Sequence, residues 1–172
     1  PPESLLLGPQ IGATDVIVAR MKFSPRNEVD QAGIMIYSDV NSYVRFGRIL
    51  VRRTFFEFSA EKDGRSNRNY STAFTFDPSG QTGDPVWLAI RRNRRDFTAY
   101  TSIDGRNWVR TGRTISLDLP ERNARMAARL GPGGRVIGWA ARIAAPATGA
   151  MLAETLAPAL PRLSRGGDRY AV

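Results

Sequence analysis

The chain contains no cysteine and no histidine. Without cysteine there is no disulfide framework, no thiol nucleophile and no Cys-ligated zinc or iron–sulfur site. Without histidine there is no Ser-His-Asp or Cys-His site and no imidazole acid–base catalysis, and most catalytic zinc sites fall away. Lysine is nearly missing. Of 25 basic residues only Lys22 and Lys62 are lysine, and the rest are arginine. Acidic residues number 16, so the net charge is +9. They leave carboxylate chemistry open. No apolar run reaches the roughly 18–20 residues that span a bilayer, and no membrane partner is expected.

What is present suits one domain. The chain has 172 residues, 42% of them apolar and 24% charged, enough for a sizeable core but short for two ordinary domains. The arginine excess has two readings. One is compositional bias from a genome rich in G and C. The other is an anionic partner. The basic residues are spread along the chain, and nucleic acid is not the expected partner. The densest cluster is Arg91, Arg92, Arg94 and Arg95. It reads either as a contact for phosphate or an acidic polysaccharide, or as a solvated turn that discourages edge pairing. The chain begins Pro1-Pro2-Glu3, as a processed product, an excised domain or a fragment would.

Residues 15–143 read as β-structure, in short runs of Val, Ile, Phe, Tyr and Thr separated by turn clusters. The expected strands are 15–23, 31–37, 43–49, 54–60, 70–76, 86–92, 96–102, 107–112, 124–130 and 135–143. Many strands at short spacing, with no long helix, imply an antiparallel sandwich or barrel. The domain is expected to span 1–143. Residues 144–172, rich in Ala and Pro, read as a short helical or irregular C-terminal tail.

Alternation along strands defines faces. In the meander 31–59, pairing Tyr37 with Tyr43 places Ile36 opposite Val44 and Ile34 opposite Phe46. A turn at 50–52 then places Phe46 opposite Phe56. One face becomes Ile34, Ile36, Val44, Phe46, Phe56 and Phe58, with no polar member. The other carries Met35, Tyr37, Tyr43, Arg45 and Glu57, with Arg45 opposite Glu57. In the hairpin 86–102, a turn at Asn93-Arg94 pairs Ile90 with Phe97 and Trp87 with Tyr100. Its core face is Val86, Leu88, Ile90, Phe97 and Ala99. Its other face is Trp87, Arg91, Thr98 and Tyr100.

Both segments thus present aromatic rings interleaved with charged groups on the non-core side. Such a surface suits sugars, whose C–H faces stack on rings while planar polar side chains hold the hydroxyls. Affinity from many weak contacts is then modest. The same rings are also ordinary strand formers that a loop or the tail covers.

Two stretches carry a resemblance. Gln31-Ala32-Gly33-Ile34-Met35-Ile36-Tyr37 with Asn41-Ser42-Tyr43-Val44-Arg45-Phe46-Gly47 is one. Val86-Trp87-Leu88-Ala89-Ile90-Arg91, followed by Phe97-Thr98-Ala99-Tyr100-Thr101-Ser102-Ile103-Asp104-Gly105-Arg106-Asn107-Trp108, is the other. Both resemble concanavalin A-like lectin/glucanase sandwiches, most closely the C-terminal domains of family-43 β-xylosidases and related stand-alone domains. The likeness covers about residues 15–112. It implies an all-β, antiparallel, two-sheet, jelly-roll-like sandwich with a partly aromatic concave sheet. It also implies that the module either binds carbohydrate or packs on a catalytic partner domain, in an extracellular or periplasmic setting. The matching ring positions are Tyr37, Tyr43, Trp87 and Tyr100. The family's opening strands, which should precede residue 5, are expected to be missing or shortened.

No catalysis is expected. The family's glucanases use Glu-x-Asp-x-x-Glu, whose acid and nucleophile sit about 5–5.5 Å apart. Here Glu61-Lys62-Asp63 leads to Ser66 and into a turn. No cofactor is expected either. Calcium is the one candidate, at Asp39 with Asn41 or at Asp63 with Asn67 and Asn69, and turns use the same residue types. The expected function is a non-catalytic carbohydrate-binding or accessory sandwich module associated with a glycoside hydrolase. Its contact residues would be Tyr37, Tyr43, Trp87 and Tyr100 for stacking, and Arg45, Glu57 and Arg91 for hydroxyls. The alternatives are an interaction or structural sandwich without glycan affinity, and arginine-mediated binding of an acidic polymer.

Overall fold

Eleven strands run through the described residues of a computed structural model, which are 4–66, 73–77, 83–120, 124–130 and 135–144. They are β1 (Ser4–Gln10), β2 (Asp15–Lys22), β3 (Gln31–Asp39), β4 (Ser42–Val51), β5 (Arg53–Glu61) and β6 (Ala73–Phe76), then β7 (Val86–Asn93), β8 (Asp96–Ser102), β9 (Val109–Ser116), β10 (Arg125–Leu130) and β11 (Arg135–Ala144). No helix occurs among the described residues. A six-stranded sheet has the order β1-β10-β3-β4-β5-β6, and a five-stranded sheet the order β11-β2-β7-β8-β9. Every pairing is antiparallel. The expected sandwich is therefore observed. The tail 145–172 lies outside the described residues.

The core lies between the sheets. Ile34, Ile36, Val44, Phe46, Phe56 and Phe58 from one meet Val86, Leu88, Ile90, Phe97 and Ala99 from the other. These are the two apolar faces expected from alternation. Phe46 sits edge-on to Phe58, with ring centroids 5.8 Å apart, a favoured aromatic geometry. Ile17, Ala19, Met21 and Phe23 of the β2 region complete the layer.

Two registers differ from expectation, and both keep the faces. Tyr37 pairs with Tyr43 as expected, but Phe46 pairs with Phe58 rather than Phe56. Ile90 pairs with Ala99 rather than Phe97, and Trp87 with Ser102 rather than Tyr100. Each shift is two residues, which preserves side-chain direction. The cause is the same in both turns. Arg52 and Arg94 adopt left-handed backbone, with φ of 60° and 57°, a conformation that Gly or Asn usually signals.

Other expectations need correction. A strand that the expected set lacked, β1, pairs with β10 along the sheet edge. Pro9 lies within it, which an edge strand tolerates because one side of its backbone needs no ladder bond. β9 starts later than expected and continues to Ser116, past an irregularity opposite Phe97–Ala99 where Gly112 takes φ +74°. The core face of the meander does contain a polar member, Arg48, which is fully buried. Arg92 is likewise buried on the core side of β7, so the arginine cluster at the hairpin is not wholly solvated.

The loop after β8 shows how a turn is held. The Asp104 carboxylate accepts hydrogen bonds from the backbone N–H of Asn107 and Arg106, both at 2.8 Å. It also accepts from the Asn107 amide and the Ser102 hydroxyl. The Asn107 N–H first, then that of Arg106, holds the Asp104 carboxyl well below its ordinary 3.8. A lowered native value means the loop's contribution is complete above 3.8 and is lost only as pH falls toward that native value. Titrating the Asp104 carboxyl carbon by NMR checks this, and a midpoint at or above 3.8 overturns it.

Candidate functional site

The outward face of the six-stranded sheet carries three cross-strand rows. Tyr37, Tyr43 and Glu61 form one, Met35, Arg45 and Ser59 the next, and Gly33, Gly47 and Glu57 the third. The first row is tied by the Tyr43 hydroxyl, which donates to Glu61 Oε2 at 2.8 Å. In the third row two glycines face each other. With no side chains there, the row becomes the floor of a groove.

Arg45 reaches over that floor. Its Nε donates to Ser59 Oγ at 2.8 Å, Nη1 to Gln31 Oε1 at 3.2 Å, and Nη2 to Glu57 Oε1 at 2.7 Å. Ser59 Oγ donates to the same Glu57 oxygen. The expected Arg45–Glu57 pair is thus present, but it runs diagonally, since Glu57 stands opposite Gly47. Gln31, Met35, Arg45, Gly47 and Glu57 line the groove, whose enclosed volume is only about 20 Å³. Met35, Ser59 and Glu57 are themselves buried, at 5%, 6% and 7% exposed, while Tyr37, Tyr43 and Arg45 are half-buried, so a ligand would meet the tyrosines and Arg45 at the rim rather than sink into the groove.

The groove has hydrogen-bonding capacity to spare. A guanidinium has five N–H donors, and three of Arg45's are used in the contacts above. Gln31 uses its carbonyl oxygen on Arg45, so its NH₂ faces no described partner. The Tyr37 ring is half-buried. Donors above a flat floor, beside two phenol rings, match a polyhydroxylated ligand.

The remaining expected residues are elsewhere. β7 and β8 belong to the other sheet, and their outward side is the opposite surface of the sandwich. Trp87, Arg91 and Tyr100 therefore do not join Tyr37, Tyr43, Arg45 and Glu57 in one site. Trp87 is 9% exposed and Tyr100 6%. The Arg20 guanidinium lies 5.7 Å from the Trp87 ring centroid. A Cβ on Gly105 would come within 3.0 Å of Trp87 Nε1, so the loop after β8 covers the indole. Neither ring offers a stacking face. Sequence reasoning also passed over Gln31, Ser59, Glu61 and the glycine pair. The Tyr37–Tyr43 pairing already placed Gly33 opposite Gly47, so that signal was available.

Loop oxygens serve turns. Asp39 Oδ1 accepts the Asn41 N–H at 2.8 Å. Asp63 adopts φ 53° beside Gly64. Asn67 and Asn69 lie outside the described residues. No group of three or more His, Cys, Asp or Glu side chains suited to a metal occurs among the described residues. No described helix is long and apolar enough to cross a membrane.

Comparison of the structure with solved ones decides the architecture. A GH43 protein from Bacillus licheniformis matches with a TM-score of 0.59 and 20% identity, over 78% of this chain and 27% of that one. A xylan β-1,4-xylosidase from Bacillus halodurans matches with a TM-score of 0.60 and 16% identity, over 82% and 30%. Sheep galectin-11 matches with a TM-score of 0.55 and 10% identity, over 82% and 98%. The fold is concanavalin A-like. At these identities the likeness is one of fold. The chain spans under a third of the two bacterial proteins but nearly all of the galectin. No family model and no curated protein sequence matches it.

Proposed function

We propose that this concanavalin A-like sandwich is a non-catalytic carbohydrate-binding module that recognises a neutral glycan. The observation that carries the reading is the Gln31–Arg45–Glu57 network laid across the Gly33–Gly47 floor beside Tyr37 and Tyr43. The opposed charges of Arg45 and Glu57 are 2.7 Å apart, so the groove carries little net charge and favours hydroxyls over anions. Glycan-related neighbours of the same fold support the reading. The non-catalytic part of the reading is supported by Glu57 being the one carboxylate among the described lining residues and by Glu61 being engaged by Tyr43.

The test is a calorimetric titration of the chain with neutral oligosaccharides at low and high salt. Modest affinity that salt does not change is expected. Arg45→Ala should weaken it roughly tenfold or more, as expected for losing charge-assisted hydrogen bonds. Arg91→Ala, on the opposite surface, should leave it unchanged. Equal losses in the two variants would sink the site assignment. If no glycan binds, the favoured reading becomes an accessory domain docked on a catalytic partner. Its support is that the chain matches under a third of the GH43 neighbours.

A further inference from the structure

The hairpin between β7 and β8 forms a second, chemically different surface. Between residues 91 and 96 the sequence has four arginines and one aspartate. Arg92 is buried and donates to the carbonyl oxygens of Arg94, at 3.0 Å, and Leu119. It braces the turn from beneath. Arg94 and Arg95 occupy the tip and are exposed. Neither makes an ion pair with a described residue.

The tip is tied on both sides. The Arg94 N–H donates to the Ala13 carbonyl at 2.6 Å, and the Leu117 N–H donates to the Arg95 carbonyl at 2.8 Å. The Ser116 hydroxyl donates to Asp96. An open groove of about 730 Å³ lies against it, lined by Thr14, Asn93, Arg94, Arg95, Asp96 and Ser116. It is a shallow, open depression on the surface rather than an enclosed pocket. Every described lining residue is polar. Among the described lining residues one carboxylate, Asp96, faces the groove and is engaged by Ser116. The nearby Asp15 carboxylate is turned to the Gly12 N–H.

Backbone physics disfavours arginine at position 94. Its φ of 57° suits Gly or Asn. Arg52 adopts the same conformation at the other end of the sandwich, but there the Glu28 carboxylate accepts its N–H. At Arg94 the N–H donates instead to the Ala13 carbonyl, and no acidic side chain among the described residues pairs with the guanidinium. We infer that the Arg94–Arg95 hairpin tip binds an acidic polysaccharide, one whose carboxylates engage the two guanidiniums and whose hydroxyls meet Thr14, Asn93 and Ser116. Planar guanidiniums hold carboxylates in bidentate fashion. Among the described lining residues there is no aromatic ring for a nucleobase or a sugar to stack on, so recognition rests on the guanidiniums and hydrogen-bonding groups, which the carboxylates and hydroxyls of an acidic glycan satisfy. This site is separate from the neutral groove and does not rest on it.

The test uses the chain with polygalacturonate, a neutral galactan and a single-stranded oligonucleotide. Wild type should bind polygalacturonate, lose it as salt rises, and ignore the galactan at this site. The double variant Arg94→Gly/Arg95→Ser should bind polygalacturonate at least roughly tenfold more weakly. Its Tm should be unchanged or higher, because Gly relieves the left-handed backbone. That opposite movement separates lost binding from lost folding. Arg52→Ser/Arg53→Ser removes the same charge at the far end and should bind as wild type does. The proposal is overturned if wild type does not bind polygalacturonate at low salt, or if both double variants lose it equally, which would mark bulk charge. Tighter binding of the oligonucleotide, lost in the tip variant, would overturn the glycan assignment in favour of nucleic acid.

Discussion

Arg48→Ala is expected to destabilise the domain by about 3–5 kcal/mol, the cost of leaving a buried charge without its partner. Arg48 has no solvent exposure and Asp77 has 1%. Its Nε donates to Asp77 Oδ2 at 2.6 Å. Its Nη1 donates to the Phe23 carbonyl at 3.1 Å and the Asp84 carbonyl at 2.7 Å. One side chain of the six-stranded sheet thus holds the chain after β6, the end of the β2 region and the approach to β7. Removing it takes the cation from the buried Asp77 carboxylate and a donor from two carbonyls. Asp77→Ala should be comparably damaging, since it takes the counter-charge from a fully buried guanidinium. The double variant Arg48→Met/Asp77→Leu should recover part of the loss, because two buried charges vanish together, while the two carbonyls still lose a donor. Urea denaturation of the four species in a double-mutant cycle measures this. Single-variant costs below about 1 kcal/mol would mean that water reaches the pair.

Gly47→Ala is the second large effect. A Cβ there would overlap the Ala32 carbonyl oxygen and lie 2.6 Å from the Gly33 Cα. On Gly33 it would overlap the Phe46 carbonyl oxygen and lie 2.5 Å from the Gly47 Cα. These obstacles are backbone atoms in the middle of a sheet, so they yield only if the strands separate. A loss of about 3 kcal/mol is expected for either substitution, at the upper end of overpacking costs. Whatever still folds should bind neutral glycan poorly, because the methyl fills the groove floor. Gly12→Ala is the control. Its Cβ would meet nothing nearer than 3.5 Å, at Asp15, and its stability should change by less than about 0.5 kcal/mol. Stability of Gly47→Ala equal to that of Gly12→Ala would refute the close approach of β3 and β4.

Both effects bear on how far the sequence could be read. Alternation at Ile34, Ile36, Val44, Phe46, Phe56 and Phe58 marked one core face, and Val86, Leu88, Ile90, Phe97 and Ala99 the other. A period of two survives register errors of two residues, which is why both faces are found intact. The registers themselves slipped because Arg52 and Arg94 take a backbone conformation their side chains do not announce. Arg48 was missed because nothing local distinguishes an inward arginine from an outward one. Its partner, Asp77, is 29 residues away. β1 was missed because Leu5-Leu6-Leu7 shows no alternation and Gly8-Pro9 reads as a break, although an edge position accepts it.

The candidate site divides along the same line. Local pattern placed Tyr37, Tyr43, Arg45 and Glu57 on one face, since they lie in a single meander whose turns are short. It equally placed Trp87, Arg91 and Tyr100 on a non-core face. Strand periodicity is a property of neighbours along the chain, and it specifies inside against outside. It carries no information about which sheet a hairpin joins. That depends on the long connection between β6 and β7 and on the pairing of β7 with β2, contacts far apart in sequence. Fold class, core faces and the Tyr37–Tyr43 pairing therefore follow from residue order alone. The separation of the seven candidates onto opposite surfaces, the covering of Trp87 by the loop at Gly105 and the burial of Arg48 exist only once the two sheets have packed.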